Sequence, residues 1–358
     1  MGLFRDPHGR VLVSQRAVGT HLGGLWEFPG GKCGAHESAG LALRRELREE
    51  LGVRVLAATG ILTLPHRYPD RSVRLHVFRV ERWTGRPEPR EGQALRWVAP
   101  NELAGLDFPA ASRAIVTAAR LPAIYLISPD PESSFEITRC VGQVEQALSR
   151  RGLGLIQVRA PSLGRTAFLQ YARGLIAVAH AHAAEVLVNA PGEWLDALPP
   201  AGWHLTERRM NALSSRPDRE GWLAASVHDR DSLERAMALP VDFVVLGPVR
   251  PTQTHPGAAS LGVAGFAQLR ANARCPVFAL GGMRPSDLPA VRALGGQGIA
   301  GIRGILSVVA GAGRALARDY SLMSGEFQYS NCQRRELVEE LLDDAMSIDY
   351  KVFCFHGT

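Results

Sequence analysis

Between about residue 121 and residue 320, eight short β-branched runs alternate with helical stretches. They read "AIYLIS", "LGLIQVR", "EVLVNA", "GWHL", "WLAASVH", "DFVVLGPV", "PVFALGG" and "GIAGIRGI". Strands joined through helices run parallel, because a parallel crossover needs a long connection that a helix supplies. Eight such units predict a sheet closed as a (β/α)8 TIM barrel, and about 200 residues suffice for one. An open doubly wound sheet is the other arrangement of the same pattern.

The first part of the chain has a different rhythm, mixing strands with one strongly charged helix until "RLPAIYLISPDPESS". This divides the 358 residues into an N-terminal α/β domain at 1–119, the barrel at 122–320 and a tail at 321–358. The tail sets seven carboxylates against Arg334, Arg335 and Lys351. Its "RRELVEELLDDAM" has helical period, and the segment reads as a short amphipathic helix or a disordered end, with no function assigned.

Composition narrows the function classes. The hydrophobic share is 46% and the charged share 21%, values of a soluble globular protein. No apolar run approaches the ~20 residues that span a bilayer. The start "MGLFRDPHGR" carries no export signal, and Asp6 stands where a myristoylation signal has Ser or Thr. The five cysteines form no CxxC pair, which fits a reducing cytoplasm. The net charge of +6 does not point to nucleic acid: Lys32 and Lys351 are the only lysines beside many arginines, and no aromatic-interleaved basic stripe appears.

The chemistry concentrates in "GKCGAHESAGLALRRELREELGV", Gly31 to Val53. On a helix starting near Ser38, Glu46, Glu49 and Glu50 fall at i, i+3 and i+4 on one face. Like charges at that spacing repel, unless a divalent cation sits among them. Hard cations take carboxylate oxygens, and Mg2+ adds waters and substrate phosphates. Gly30 and Gly31 permit a tight turn that offers a carbonyl to the same ion, and Glu37 can pair with Arg45 to tie loop to helix.

The nine specified positions, Gly31, Glu37, Arg45, Glu46, Leu47, Glu49, Glu50, Gly52 and Val53, match the Nudix box, and residues 2–119 resemble its MutT branch. "GGLWEFPGGK", "YPDRSVRLHVFRVERWTG" and "REGQALRWV" extend the resemblance. It implies an α/β/α sandwich with a mixed sheet whose first strand enters late at "MGLFRD". It also implies a hydrolase that cleaves a nucleoside triphosphate to monophosphate and pyrophosphate with Mg2+, or Mn2+ in its place. By position, Gly30, Glu46, Glu49, Glu50 and Glu91 would hold metal. Glu46 is the first choice as base, Glu91 the second, and Arg45 supports them. Arg16 and Lys32 would meet phosphate, Phe28 and Tyr68 would line the base pocket, and Asp70 and Arg71 would lie on the closing loop. Ser112 stands where this branch has a base-reading asparagine, and a hydroxyl cannot present a carbonyl and an amide together.

"ALGGM" and "GIAGIRGI" read as a phosphate site after the last two strands of the barrel. With "LGPVRPTQTHPGAASLG" and "SVHDRDSLERA", residues 122–318 resemble the thiamine-phosphate synthase and TenI-like family. Gln157, Arg159, Thr252 and Thr254 are kept. Ala190 and Arg209 stand in place of two metal acids, Pro161 and His255 in place of lysines, and Pro248 in place of the TenI histidine. The expected barrel is therefore degenerate, with a phosphate-binding remnant at Gly281, Gly282 and Arg303 and neither synthase nor tautomerase activity.

The resulting expectation is a cytoplasmic Mg2+-dependent pyrophosphohydrolase acting on 8-oxo-dGTP, a nucleotide-pool cleanser, with no membrane or direct nucleic-acid partner. The alternatives are a regulator that binds a phosphorylated small molecule in the barrel, or a bifunctional thiamine-phosphate synthase.

Overall fold

The computed structural model describes residues 1–307 apart from 20–21, 68–71, 150–152 and 253–258. Tyr68, Asp70, Arg71, Thr254, His255 and the tail at 321–358 lie outside the described residues.

The N-terminal part contains β1 (Gly2–Phe4), β2 (Val11–Gln15), β3 (Trp26–Glu27), α1 (Ala39–Leu51), β4 (Arg54–Arg67), β5 (Ser72–Thr84), β6 (Leu95–Val98) and α2 (Arg113–Arg120). β1 pairs parallel with β5, which pairs antiparallel with β4 in a long hairpin, so this sheet is mixed. The second sheet is antiparallel, in the order β3-β2-β6. Two apolar clusters form, each drawing on both sheets. Leu43, Leu47 and Leu51 of α1 pack with Phe4, Leu12 and Val80, while Phe28, Val11, Ile61 and Ile115 close the other cluster.

The charged helix begins where the sequence predicts. Ser38 caps it, its hydroxyl accepting the Leu41 N–H at 3.3 Å, and Gly52 ends it at φ 72°. That left-handed angle favours glycine, and its N–H closes onto Arg48 O at 3.1 Å. The leucines at 43, 47 and 51 recur every four residues and turn one face into the core, which leaves the carboxylate face outward.

The second part is β7 (Ile124–Ile127), α3 (Ile137–Leu148), β8 (Leu155–Val158), α4 (Arg165–Ala181), β9 (Glu185–Val188), α5 (Gly192–Leu195), β10 (Gly202–Leu205), α6 (Glu207–Asn211), β11 (Leu223–Val227), α7 (Arg230–Ala238), β12 (Phe243–Leu246), α8 (Gly262–Asn272), β13 (Val277–Leu280), α9 (Leu288–Ala293) and β14 (Gly298–Gly301). All eight expected strands form. β14 pairs parallel with β7, so the sheet closes as a barrel and the open alternative is excluded. Closure is tight there: a Cβ on Gly298 would overlap the backbone carbonyl of Ala123. Tyr125, Phe243 and Phe278 fill the interior, with ring centroids 5.5–5.7 Å apart. Burying aromatic rings of this size contributes roughly 2–3 kcal/mol each. Among the described residues, no helix is long and apolar enough to cross a membrane.

The two parts meet at the N-terminal ends of the barrel strands. Gln297, just before β14, donates to Ala118 O at 3.1 Å and Leu121 O at 2.8 Å. Arg113 of α2 reaches Asp242, just before β12, at 3.3 Å, and Arg120 reaches Glu185 at 3.3 Å. Arg270 of α8 donates to Gly60 O of β4 at 3.0 Å. The loops at the C-terminal ends of the strands face the other way.

Candidate active site

The turn before α1 and the outward face of that helix build the first site. Gly30 adopts φ 129°, open to glycine alone, and its N–H donates to Glu50 Oε2 at 2.9 Å. Gly31 is glycine for another reason: a Cβ there would overlap the Glu46 carboxylate, so loop and helix approach without a side chain between them. Glu37 accepts the Gly34 N–H at 2.8 Å and the Arg45 fork at 2.9 and 3.0 Å, which is the predicted tie between loop and helix.

Arg45 organises the rest. Its Nη1 donates to Glu46 Oε1 at 2.9 Å and Glu49 Oε2 at 3.0 Å, and its Nη2 to Lys32 O at 3.0 Å. One guanidinium thus offsets three carboxylates, which raises its own pKa, Glu37 contributing most. Glu50 lies on the other side. Burial pushes its carboxyl up to about 7. The Gly30 N–H opposes that shift, and the charges of Glu91, Glu46 and Glu27 add to it. The half-buried Glu50 therefore shares one field with three other carboxylates.

That field is the test of fit for a divalent cation. The donor set is oxygen-only, and mutual repulsion falls when a cation enters. Among the described residues, however, no three His, Cys, Asp or Glu side chains are drawn together into a closed metal site. The carboxylates have the right chemistry and neighbourhood, with Arg45 supplying the positive charge.

The remaining sequence candidates are placed unevenly. Arg16 pairs through Nη1 with Glu27, whose carboxyl is raised by burial and lowered by Arg16. Lys32 is exposed on the loop. Glu91 is exposed in the loop before β6, its N–H on Gln93. Phe28 is fully buried and stacked on Phe108 at 5.3 Å, so it packs in the core and offers no open face. Ser112 is buried too, at the turn before α2, with its N–H on Pro109 O at 2.8 Å. Phe108 did not stand out in the sequence; a lone aromatic in "DFPAAS" carries no periodic signal.

At the opposite mouth of the barrel, Gly281 (φ 109°) and Gly282 (φ 63°) follow β13, and a helix begins at Arg303 after β14. A Cβ on Gly281 would press on Pro248 and the Val249 N–H at under 3.0 Å, so this glycine already has a packing reason. Inside the barrel runs a polar chain that sequence reading missed. Ser226 Oγ meets His204 Nε2 at 2.9 Å, and His204 Nδ1 meets the Tyr125 hydroxyl at 3.2 Å. Gln157 donates to that hydroxyl at 3.4 Å and accepts from Asn189 at 3.2 Å. Arg209 Nη1 ends the chain on Asn189 Oδ1 at 2.7 Å. Burial, then Arg159 and Arg209, push His204 down to about 3, so it is neutral. The signal available was a histidine inside the apolar run "GWHL".

An α/β domain with this carboxylate helix, joined to a closed parallel barrel, defines a two-part protein of enzyme-bearing folds. Residues 1–118 match the NUDIX domain family, and residues 124–305 match the thiamine monophosphate synthase (TMP-TENI) family. The chain belongs to both: a Nudix hydrolase domain followed by a thiamine-phosphate-synthase domain. Over 91 residues it is 41% identical to the 8-oxo-dGTP diphosphatase of Proteus vulgaris, covering 25% of this chain and 81% of that protein. Over 116 residues it is 34% identical to the 8-oxo-dGTP diphosphatase of Escherichia coli, covering 32% and 90%. Over 194 residues it is 30% identical to the thiamine-phosphate synthase of Thioalkalivibrio sulfidiphilus, covering 53% and 90%.

Proposed function

We propose that the protein is a cytoplasmic, Mg2+-dependent nucleoside triphosphate pyrophosphohydrolase, acting on 8-oxo-dGTP and releasing 8-oxo-dGMP and pyrophosphate. The observation that carries this reading is the junction of the Gly30–Gly31 turn with the Glu46–Glu49–Glu50 face, locked by Arg45. The diphosphatase relatives support the substrate class.

Glu46, Glu49, Glu50 and the Gly30 carbonyl would hold the ion, with Glu91 reaching in from its loop. Bound there, Mg2+ supplies charge neutralisation for the substrate phosphates. Glu46 takes the proton of the attacking water, and Arg45 keeps its carboxylate aimed. Arg16 and Lys32 face the phosphates. Ser112, Phe28 and Phe108 back the base pocket from the core.

Pyrophosphate release from 8-oxo-dGTP, dGTP and the other dNTPs tests the reading. Preference for 8-oxo-dGTP is the expected result; even release over the panel would discard the specificity, and none would discard the activity.

Glu50 gives the pH dependence. Its folded carboxyl titrates near 7, above the ordinary 4.5, so the folded metal-free protein holds this proton more tightly than the unfolded chain. That contribution to stability is complete below pH 4.5 and is lost as pH rises through 7. Metal binding runs the other way, because the ion needs the ionised form. Mg2+ affinity by calorimetry should rise close to tenfold per unit between about pH 5.5 and 6.5 and flatten above about 7.5. A pH-independent affinity would remove Glu50 from the metal set.

For the barrel we infer no synthase activity. Arg209 places a guanidinium on Asn189, beside Ala190, where the family's acids would carry the metal. A fixed cation there repels Mg2+. Full-length protein given the pyrimidine diphosphate, the thiazole phosphate and Mg2+ should form no thiamine phosphate above background; clear formation would overturn this.

A further inference from the structure

The helix α2 (Arg113–Arg120) has eight residues, too few to hold its shape without tertiary support. The last carbonyls of a helix find no partner within it. Among the described residues, no side chain caps its start either. The hydrolase covers one face, where Ile115, Ala118 and Ala119 pack with Phe28 and Val98. The barrel supplies the rest. Gln297, buried just before β14, donates its amide to Ala118 O at 3.1 Å and Leu121 O at 2.8 Å, which satisfies carbonyls at the end of α2. At the start of α2, Arg113 Nη2 donates to Asp242 Oδ1 at 3.3 Å. The other oxygen of Asp242 is fixed within the barrel by Arg216 at 2.6 Å and the Leu223 N–H at 2.8 Å.

The seam around these bonds is not packed solid. A cleft of about 450 Å³ opens between Val116 and Thr117 of α2 and Trp222 of the barrel, and another of about 250 Å³ between Ala114 and Val241. The position of α2 on the barrel therefore depends on a few discrete bonds. That position matters to the hydrolase, because the chain entering α2 is the wall of the base pocket. Asp107 O accepts the Trp26 N–H at 2.8 Å, Phe108 stacks on Phe28, and the buried Ser112 directly precedes Arg113. A shift of α2 carries Ser112 with it and pulls on the Phe108 stack.

We propose that the barrel is the platform of the hydrolase's base pocket, with Gln297 and Asp242 as positioning residues that fix α2 and, through it, Ser112 and Phe108. The inference rests on the reading of the N-terminal domain as a nucleotide hydrolase. It gives a barrel without synthase activity a function that needs no ligand of its own. Gln297 is the stronger of the two anchors. Removing a buried amide leaves two carbonyls without their donor, whereas the Asp242 pair involves an arginine side chain that is 65% exposed and screened by water.

The test measures KM and kcat for 8-oxo-dGTP and dGTP on full-length wild type and Gln297→Met, which keeps the volume and removes the amide donor. KM for the preferred nucleotide should rise about five- to tenfold, the scale of a lost buried hydrogen bond. The kcat should stay within about twofold, since binding is lost and the carboxylates of α1 keep their places. Arg113→Gln, at an exposed side chain, should raise KM about two- to fivefold, and it serves as the test if Gln297→Met does not melt cooperatively. Amide exchange should quicken at 106–112 in the variants and stay at the wild-type rate at 41–51. Wild-type KM in both variants, a loss confined to kcat, or wild-type exchange at 106–112 overturns the platform. A wild type inert toward every nucleotide overturns the hydrolase reading, and exchange at 106–112 then settles the platform alone.

Discussion

Glu46→Gln is expected to lower turnover of the preferred nucleotide by about 10²–10⁴-fold, the usual contribution of a positioned general base. The substitution is nearly isosteric. The amide oxygen can still accept from Arg45 Nη1, which donates to Glu46 Oε1 at 2.9 Å in the native protein. The α1 core face of Leu43, Leu47 and Leu51 is untouched. Melting temperature should therefore stay close to the wild type while kcat collapses. In the proposed role of base, Glu46 acts on water more than on the nucleotide, so KM should change little. Near-normal kcat would move the base to Glu91, and the same measurement on Glu91→Gln would then show the loss.

Gly31→Ala is expected to cost about 10²-fold in kcat, the scale of a catalytic group displaced by roughly 1 Å. The new methyl would occupy the space of the Glu46 carboxylate. Two responses are open: the turn can shift, or Glu46 can rotate. Gly31 is exposed and Glu46 ends a flexible side chain, so rotation is the cheaper. The damage then falls on catalysis and leaves stability within about 1 kcal/mol, as for surface changes away from the core. The pair of variants separates two roles, since Gly31→Ala keeps the carboxylate and loses its position. If Gly31→Ala turns over normally, the contact between turn and helix is not part of the machinery.

Much of this was legible before any coordinates. Ser38, the leucines at 43, 47 and 51 and the glycine at 52 specify a capped helix, and the same spacing turns its carboxylates to one side. The eight barrel runs were legible because each is short, apolar and flanked by helical period. Closure itself was not, since it depends on β14 meeting β7, a pairing between ends of the domain far apart in sequence. Phe28 shows a second limit. An aromatic beside a functional loop reads equally as pocket or core, and only its stack on Phe108 decides for the core. The seam shows a third: Arg79 meets Gly296 and Arg270 meets Gly60, partners more than 200 residues apart that nothing local marks as neighbours. Arg209 lies between these cases. The sequence identified it as a charge reversal, while its bond to Asn189, and through it to Gln157, Tyr125, His204 and Ser226, needed the fold.

The hydrolase is seated against the strand beginnings of the barrel, whereas the barrel's own glycine turns open at the strand ends. A filled aromatic interior therefore separates the hydrolase from those turns. No passage leads through the barrel from one to the other. A small molecule leaving the first must enter the surrounding water and compete there with every other copy in the cell. Covalent fusion in this protein fixes stoichiometry and shared fate, synthesis and degradation together, and it provides no private corridor for an intermediate.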